Sequence, residues 1–180
     1  MTRFLHTVIV DNFFDNPDEI VKYADSLDYD FLSKENWPGG RSMNLCDINT
    51  ELFNYTTNTV LSYYFNLEKQ YVTWGHSNIR FHKILPGDWE KHDRKNTIIH
   101  KDTAHIGGVV YLNKDENDEE TGTSFYDDNL NKMYSVNNYY NNAVFFQGNR
   151  LNHGASSIDN NKTRLVMVFF MSDIKYKYID

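Results

Sequence analysis

The sequence predicts a mostly β fold, an antiparallel sandwich or barrel with N-terminal helices packed against it. Three observations predict it. From about residue 70 onward, short runs rich in β-branched and aromatic residues follow one another, separated by Gly, Asn and Asp. Before that point, two segments carry helix signals. The chain has 180 residues, 40% of them hydrophobic and 16% aromatic, enough to bury one sizeable core.

In chain order, "VIVDNFF" (8–14) reads as a first strand. "NPDEIVKYADSL" (16–27) reads as a helix, with Asn16 as N-cap, Pro17 at the first helical position and Asp18 and Glu19 facing the positive end of the helix dipole. Ile20, Val21 and Ala24 recur at helical spacing. "ENWPGGRS" (35–42) is a turn by its Pro and glycines. "NTELFNYTTNTVLSYYF" (49–65) predicts a second helix with Leu52, Val60 and Tyr63 on its apolar face. Strands are expected at "YVTWG", "NIRFHKI", "TIIH", "IGGVVYLN", "TSFY", "MYSV", "NAVFFQ" and "TRLVMVFFM", and "NKDENDEETG" (113–122) reads as an acidic hairpin loop. With no internal repeat and no linker, 1–180 is expected to be a single domain: a helical support region at 1–70 and a β core at 71–175.

The formal charge of −7 argues against binding a phosphate backbone, which needs clustered Lys and Arg. The one basic stretch, "KHDRK" (91–95), is short and interrupted by Asp93. Cys46 stands alone, so no intrachain disulfide forms, which fits a reducing compartment. No apolar run approaches the roughly 18 residues a membrane helix needs. The opening "MTRFLHTVIVDNFF" has no signal-peptide core. A cytoplasmic protein is expected. The many Asn and Tyr and few Ala suit an AT-rich genome, viral or bacterial.

"IIHKDTAHIGGVVYLN" (98–113) places His100 and Asp102 two apart at an expected strand start. Residues i and i+2 of a strand share a face, so an imidazole and a carboxylate would point to one place and could bind a divalent metal. Composition alone yields about one such triplet by chance, so the pair also reads as a solvated strand start. His153, in "NRLNHG" after "NNAVFFQG", offers a third ligand, or a loop histidine capping a turn. Two histidines and one carboxylate on a β scaffold form the facial triad of non-haem Fe(II) oxygenases, with three positions left open. Arg164 shares a strand face with Val166, Val168 and Phe170, while Leu165, Met167 and Phe169 share the other. Both faces are apolar, so the strand is expected to be buried. A buried guanidinium needs a partner, which a ligand carboxylate or an internal acid would supply. Tyr111 reads either as a core tyrosine or as a cavity hydroxyl.

Over 78–171 the chain resembles the Fe(II)/2-oxoglutarate-dependent dioxygenases, in particular their prolyl-hydroxylase-like branch. The landmarks are His100-Lys101-Asp102, then "YLNKD" from Tyr111, "TGTSFY", "NHG" with His153, and "KTRLVMVFF" with Arg164. The opening "VIVDNFFDNPDEIVKYA" and the "WPGGRS" turn also resemble a group of small oxygenases. The resemblance implies a double-stranded β-helix, or jelly-roll, core. It implies Fe(II) on His100, Asp102 and His153, and 2-oxoglutarate held by Arg164 and Tyr111. It also implies hydroxylation by O2 of an unactivated C–H bond in a small-molecule or peptide substrate, a peptidyl proline or an amino-acid-like compound, with succinate and CO2 as co-products. One departure is Thr121-Gly122 where such enzymes often carry two glycines, which bears on the hairpin and the substrate rim. His92 and His105 could compete as ligands but are expected in solvated or substrate-rim roles, His105 because it has the wrong strand parity relative to Asp102 and His92 because it precedes the strand in a polar loop. Trp37, Arg41, Arg80 and Arg150 and the "GDWEKHDRK" loop are rim candidates. The alternatives are a non-catalytic metal- or 2-oxo-acid-binding module on the same fold, a nucleic-acid demethylase, and a metal-free β-sandwich.

Overall fold

The computed structural model of the chain describes residues 7–31, 37–88, 99–114, 118–155 and 161–179. Strand β1 (Val8–Val10) leads into helix α1 (Pro17–Asp25), strand β2 (Gly40–Arg41) and helices α2 (Leu45–Ile48) and α3 (Thr50–Ser62). Then come β3 (Gln70–Thr73), β4 (His76–Ile84), β5 (Ile106–Tyr111), β6 (Asp118–Tyr126), β7 (Lys132–Asn138), β8 (Ala143–Phe146), β9 (Asn152–Ala155), β10 (Arg164–Ser172) and β11 (Lys175–Tyr178). The strands form a six-stranded sheet in the order β1-β8-β5-β10-β4-β2, a three-stranded sheet β7-β6-β9 and a two-stranded sheet β11-β3. All recorded pairings are antiparallel. Among the described residues, no helix is long and apolar enough to cross a membrane.

The period of two along β10 sets the layering. Leu165, Met167, Phe169 and Met171 face one way and pack with Ile79, Phe81, Val110 and Phe145 against Ala24 of α1 and Leu52, Val60 and Leu61 of α3. Val166 and Val168 face the other way, toward Tyr111, Phe125, Val136, Val144 and Phe146. Phe125 and Val136 belong to the small sheet, so this second core lies between the two sheets. Each fully buried Leu, Met or Phe adds about 1.5–3 kcal/mol. That explains why a strand apolar on both faces takes the middle of the sheet: both sides of β10 are covered.

Asparagines pin the joints. Asn141, in a left-handed conformation at φ 64°, accepts from the Phe14 N–H at 2.9 Å and donates to the Phe14 carbonyl at 2.8 Å. Asn49 caps α3 by accepting from the Leu52 N–H at 3.0 Å. Asn16 does occupy the N-cap of α1 with Pro17 following, but it caps through its backbone carbonyl, which accepts from Glu19 and Ile20, and not through its side chain.

The N-terminal region is not purely helical, since β1 and β2 pair into the large sheet with β8 and β4. Tyr63, expected on the apolar face of α3, is its C-cap and 45% exposed. The acidic stretch is only partly a loop, because β6 begins at Asp118. Thr121 lies inside that strand and has no positive φ, so a second glycine is not required there. Gly122 is required: a Cβ on it would stand 1.6 Å from the Val136 carbonyl oxygen.

Candidate metal centre and its cavity

His100 and Asp102 are not part of a strand ladder, contrary to the parity argument. Regular pairing begins only at Ile106. They are held instead by three backbone bonds. His100 and His153 exchange N–H···O bonds at 3.0 and 2.9 Å, an isolated bridge that extends the small sheet past β9. The Asp102 N–H donates to the Gly148 carbonyl at 2.9 Å. The segment thus lies across the gap between the two sheets, and His153 is a strand residue of β9, not a loop histidine.

The three side chains converge. His100 Nε2 lies 3.3 Å from Asp102 Oδ1, and His153 Nε2 lies 3.3 Å from Asp102 Oδ2. One ligand atom from each falls within 4.8 Å of the others. Metal–ligand bonds of about 2.1 Å at right angles would put neighbouring ligands about 3 Å apart. His153 Nδ1 is 2.9 Å from the Leu151 carbonyl oxygen, so that nitrogen carries the proton and Nε2 turns a lone pair toward the carboxylate when the ring is neutral. Asp102 Oδ2 is buried without a hydrogen bond. An imidazole lone pair and a bare carboxylate oxygen in contact repel unless a cation lies between them. The residues therefore fit a divalent metal.

Burial pushes the Asp102 carboxyl up, but His100 and His153, where their rings turn an N–H or a positive charge to it, outweigh that and hold it well below the usual carboxylate range. It is an anion at neutral pH. Two glycines make room for it: a Cβ on Gly107 or Gly148 would stand 2.7 or 2.8 Å from Asp102 Oδ2. Phe146 packs on the His153 ring with centroids 4.4 Å apart and fixes its tilt.

A cavity of about 590 Å³, its open mouth included, runs from these three residues between the sheets. Val166, Val168 and Phe170 line it with Arg164, as alternation along β10 predicts. Arg164 is 5% exposed. Its position is fixed by Asn113, whose side chain accepts from the Leu165 N–H at 2.7 Å and donates to the Thr163 carbonyl at 2.6 Å. Tyr111 is fully buried in the inter-sheet core, and its hydroxyl is hydrogen-bonded to the Thr123 hydroxyl at 2.7 Å. Thr123 lines the cavity, so Tyr111 meets it through that threonine.

Of the rim candidates, Trp37 and Arg41 line the cavity. Arg80 instead turns to Asn78, donating from Nε to Oδ1 at 2.8 Å, and Arg150 is exposed in a turn. His105 is outside the metal-ligating group; its N–H donates to the Met171 carbonyl. His92 and most of the "GDWEKHDRK" loop lie outside the described residues. Sequence reasoning missed His82, which lines the cavity, donates from Nε2 to the Pro38 carbonyl at 2.7 Å and is 2% exposed. Burial, and then the charges of Arg41 and Arg164, push it down to about 3. It is a neutral ring at physiological pH. The signal was present, since His82 stands two residues after Arg80 and shares its strand face.

The fold recurs among solved structures. The chain superimposes on a Pseudomonas putida prolyl-4-hydroxylase with TM-score 0.59 at 12% identity, covering 92% of both chains. A Trichoplax adhaerens prolyl hydroxylase, solved with a hypoxia inducible factor oxygen degradation domain peptide fragment, gives TM-score 0.60 at 15% identity, covering 93% of this chain and 83% of that one. The non-heme α-ketoglutarate-dependent epimerase SnoN from nogalamycin biosynthesis gives 0.61 at 13%, covering 97% and 80%. At such identities the likeness is one of fold, and the fold is the jelly roll of the 2-oxoglutarate/Fe(II) oxygenases. No curated protein matches the sequence. Residues 3–162 match the model described as a family of unknown function (DUF6445), and the chain belongs to that family.

Proposed function

We propose that this chain is an Fe(II)- and 2-oxoglutarate-dependent dioxygenase that hydroxylates an unactivated C–H bond of an amino-acid-like or peptidyl proline substrate. The observation that carries the reading is the convergence of His100, Asp102 and His153 at a cavity whose other wall presents Arg164. Two imidazoles and one carboxylate on one side leave the opposite coordination positions open to ligands. Held by His100, Asp102 and His153, a ferrous ion would supply the oxidation with 2-oxoglutarate and O2, giving succinate and CO2 and one oxygen atom to the substrate C–H bond.

The chain's own residues do the rest. His153 is held in one tautomer by the Leu151 carbonyl, and Asp102 is held ionised between the two rings. Arg164 offers a forked donor to the distal carboxylate of the 2-oxo acid. Tyr111 and Thr123 form a hydroxyl pair in which one O–H is accepted internally, leaving the other to donate to the ligand when it is bound. Val166, Val168 and Phe170 make an apolar floor that excludes water from the reacting groups.

Anaerobic addition of Fe(II) and 2-oxoglutarate tests the reading. A weak visible charge-transfer band is expected, followed by succinate release on admitting oxygen. A folded protein with no band would exclude it, and a band without succinate would make the chain a binding module.

A further inference from the structure

One side chain fastens the backbone on both sides of Arg164. The regular pairing of β10 with β5 ends at Val166, opposite Tyr111. The Leu112 N–H adds one bond to the Leu165 carbonyl, at 3.1 Å. Arg164 lies beyond that point as the first residue of β10, and its strand partner is Ile84 of β4. On the β5 side the Asn113 amide takes over from the ladder. Its Oδ1 accepts from the Leu165 N–H at 2.7 Å, and its Nδ2 donates to the Thr163 carbonyl at 2.6 Å. A side-chain amide carries the acceptor and donor of a peptide group, so Asn113 imitates one more step of a paired strand.

That step matters because strand ends open before strand centres. A forked guanidinium fits a carboxylate only in a narrow geometry, and a misplacement of about 1 Å costs a positioned group on the order of 100-fold. Arg164 is 5% exposed and shares the cavity wall with Val166, Val168 and Phe170. The metal-ligating residues rest on other bonds, the exchange between His100 and His153 and the Gly148 carbonyl. The anion end of the cavity and its metal end are thus fastened separately.

Resting on the reading above, we infer that Asn113 is a positioning residue for the 2-oxo acid. By holding both neighbours of Arg164, its amide sets the affinity for a distal carboxylate, and so the preference for 2-oxoglutarate over 2-oxo acids that lack one.

The test titrates the anaerobic Fe(II) protein with 2-oxoglutarate and with 2-oxopentanoate, which has a methyl group in place of the distal carboxylate, and reads the visible band. Asn113→Ala should weaken 2-oxoglutarate at least fivefold, with 2-oxopentanoate and Mn(II) each within twofold of the parent. In an Arg164→Ala background, adding Asn113→Ala should change 2-oxoglutarate affinity less than twofold, and this comparison decides alone if 2-oxopentanoate gives no band. Should Asn113→Ala fail to bind Mn(II), Asn113→Gln, whose amide sits one methylene too far out, should show the same pattern. Equal losses for both 2-oxo acids, the role of a merely structural residue, would overturn the inference. So would an unchanged 2-oxoglutarate affinity, or a full additional loss in the Arg164→Ala background. A parent protein without the band brings down the oxygenase reading itself, and this inference with it.

Discussion

Three side chains of opposite demand share a few ångströms around Asp102. Its carboxylate is mostly buried, ionised and touched by two ring nitrogens, a combination a metal stabilises. His100→Ala should lower Mn(II) affinity at least 100-fold, read by electron paramagnetic resonance, with the far-UV circular dichroism unchanged; equal affinity would remove His100 from the ligand set. Arg164→Ala should weaken 2-oxoglutarate by about 1.5–3 kcal/mol, the worth of a charged hydrogen bond, and leave Mn(II) binding intact. His82 makes a separate prediction about stability. Its folded value of about 3 lies below the ordinary 6.5, so the unfolded chain takes up its proton first as pH falls. Stability from this group is therefore complete above about pH 6.5 and declines toward pH 3, by about 2 kcal/mol at pH 5. His82→Gln should flatten the dependence of the urea midpoint on pH between 7 and 5, and an unchanged slope would acquit His82.

Elements transmit these demands to the chain. Gly148 contributes a carbonyl to Asp102 and, by lacking a Cβ, the space for its carboxylate. Gly148→Ala should therefore impair Mn(II) binding more than folding, measured as affinity against melting temperature on the same sample. Parity along a strand was a sound guide where the strand is regular. It placed Arg164, Val166, Val168 and Phe170 on one face of β10, and all four line the cavity. The same rule failed at His100 and Asp102, because those residues are fixed by a lone bridge and a loop carbonyl and not by a ladder. His100 and Asp102 meet nonetheless, since the bridge to His153 supplies the constraint that a strand would have. β9 itself was invisible in "NHGA", whose small and polar residues carry no β signal.

At the scale of the whole molecule, the ligands come from two layers: His153 from the small sheet, and His100 and Asp102 from the segment that crosses to β5 of the large one. Metal binding should therefore clamp the sheets together. At 100 times its dissociation constant, Mn(II) stabilises the folded state by about 2.7 kcal/mol, which for a chain of this size raises Tm by about 5–10 °C. His100→Ala should abolish that shift, and a parent protein whose Tm ignores the metal would contradict a site built across the layers.

By itself the sequence determined the β-rich class, the two long helices, the buried central strand and the types of residue that could hold a metal and an anion. Those follow from local periodicity and from the chemistry of single side chains, which a linear chain displays openly. Only the tertiary structure decided that residues 100, 102 and 153 meet, that two glycines vacate the space beside the carboxylate, and that Arg41 and His82 face the same cavity as Arg164. Such proximities depend on strand order and register between segments dozens of residues apart, and no local pattern encodes them.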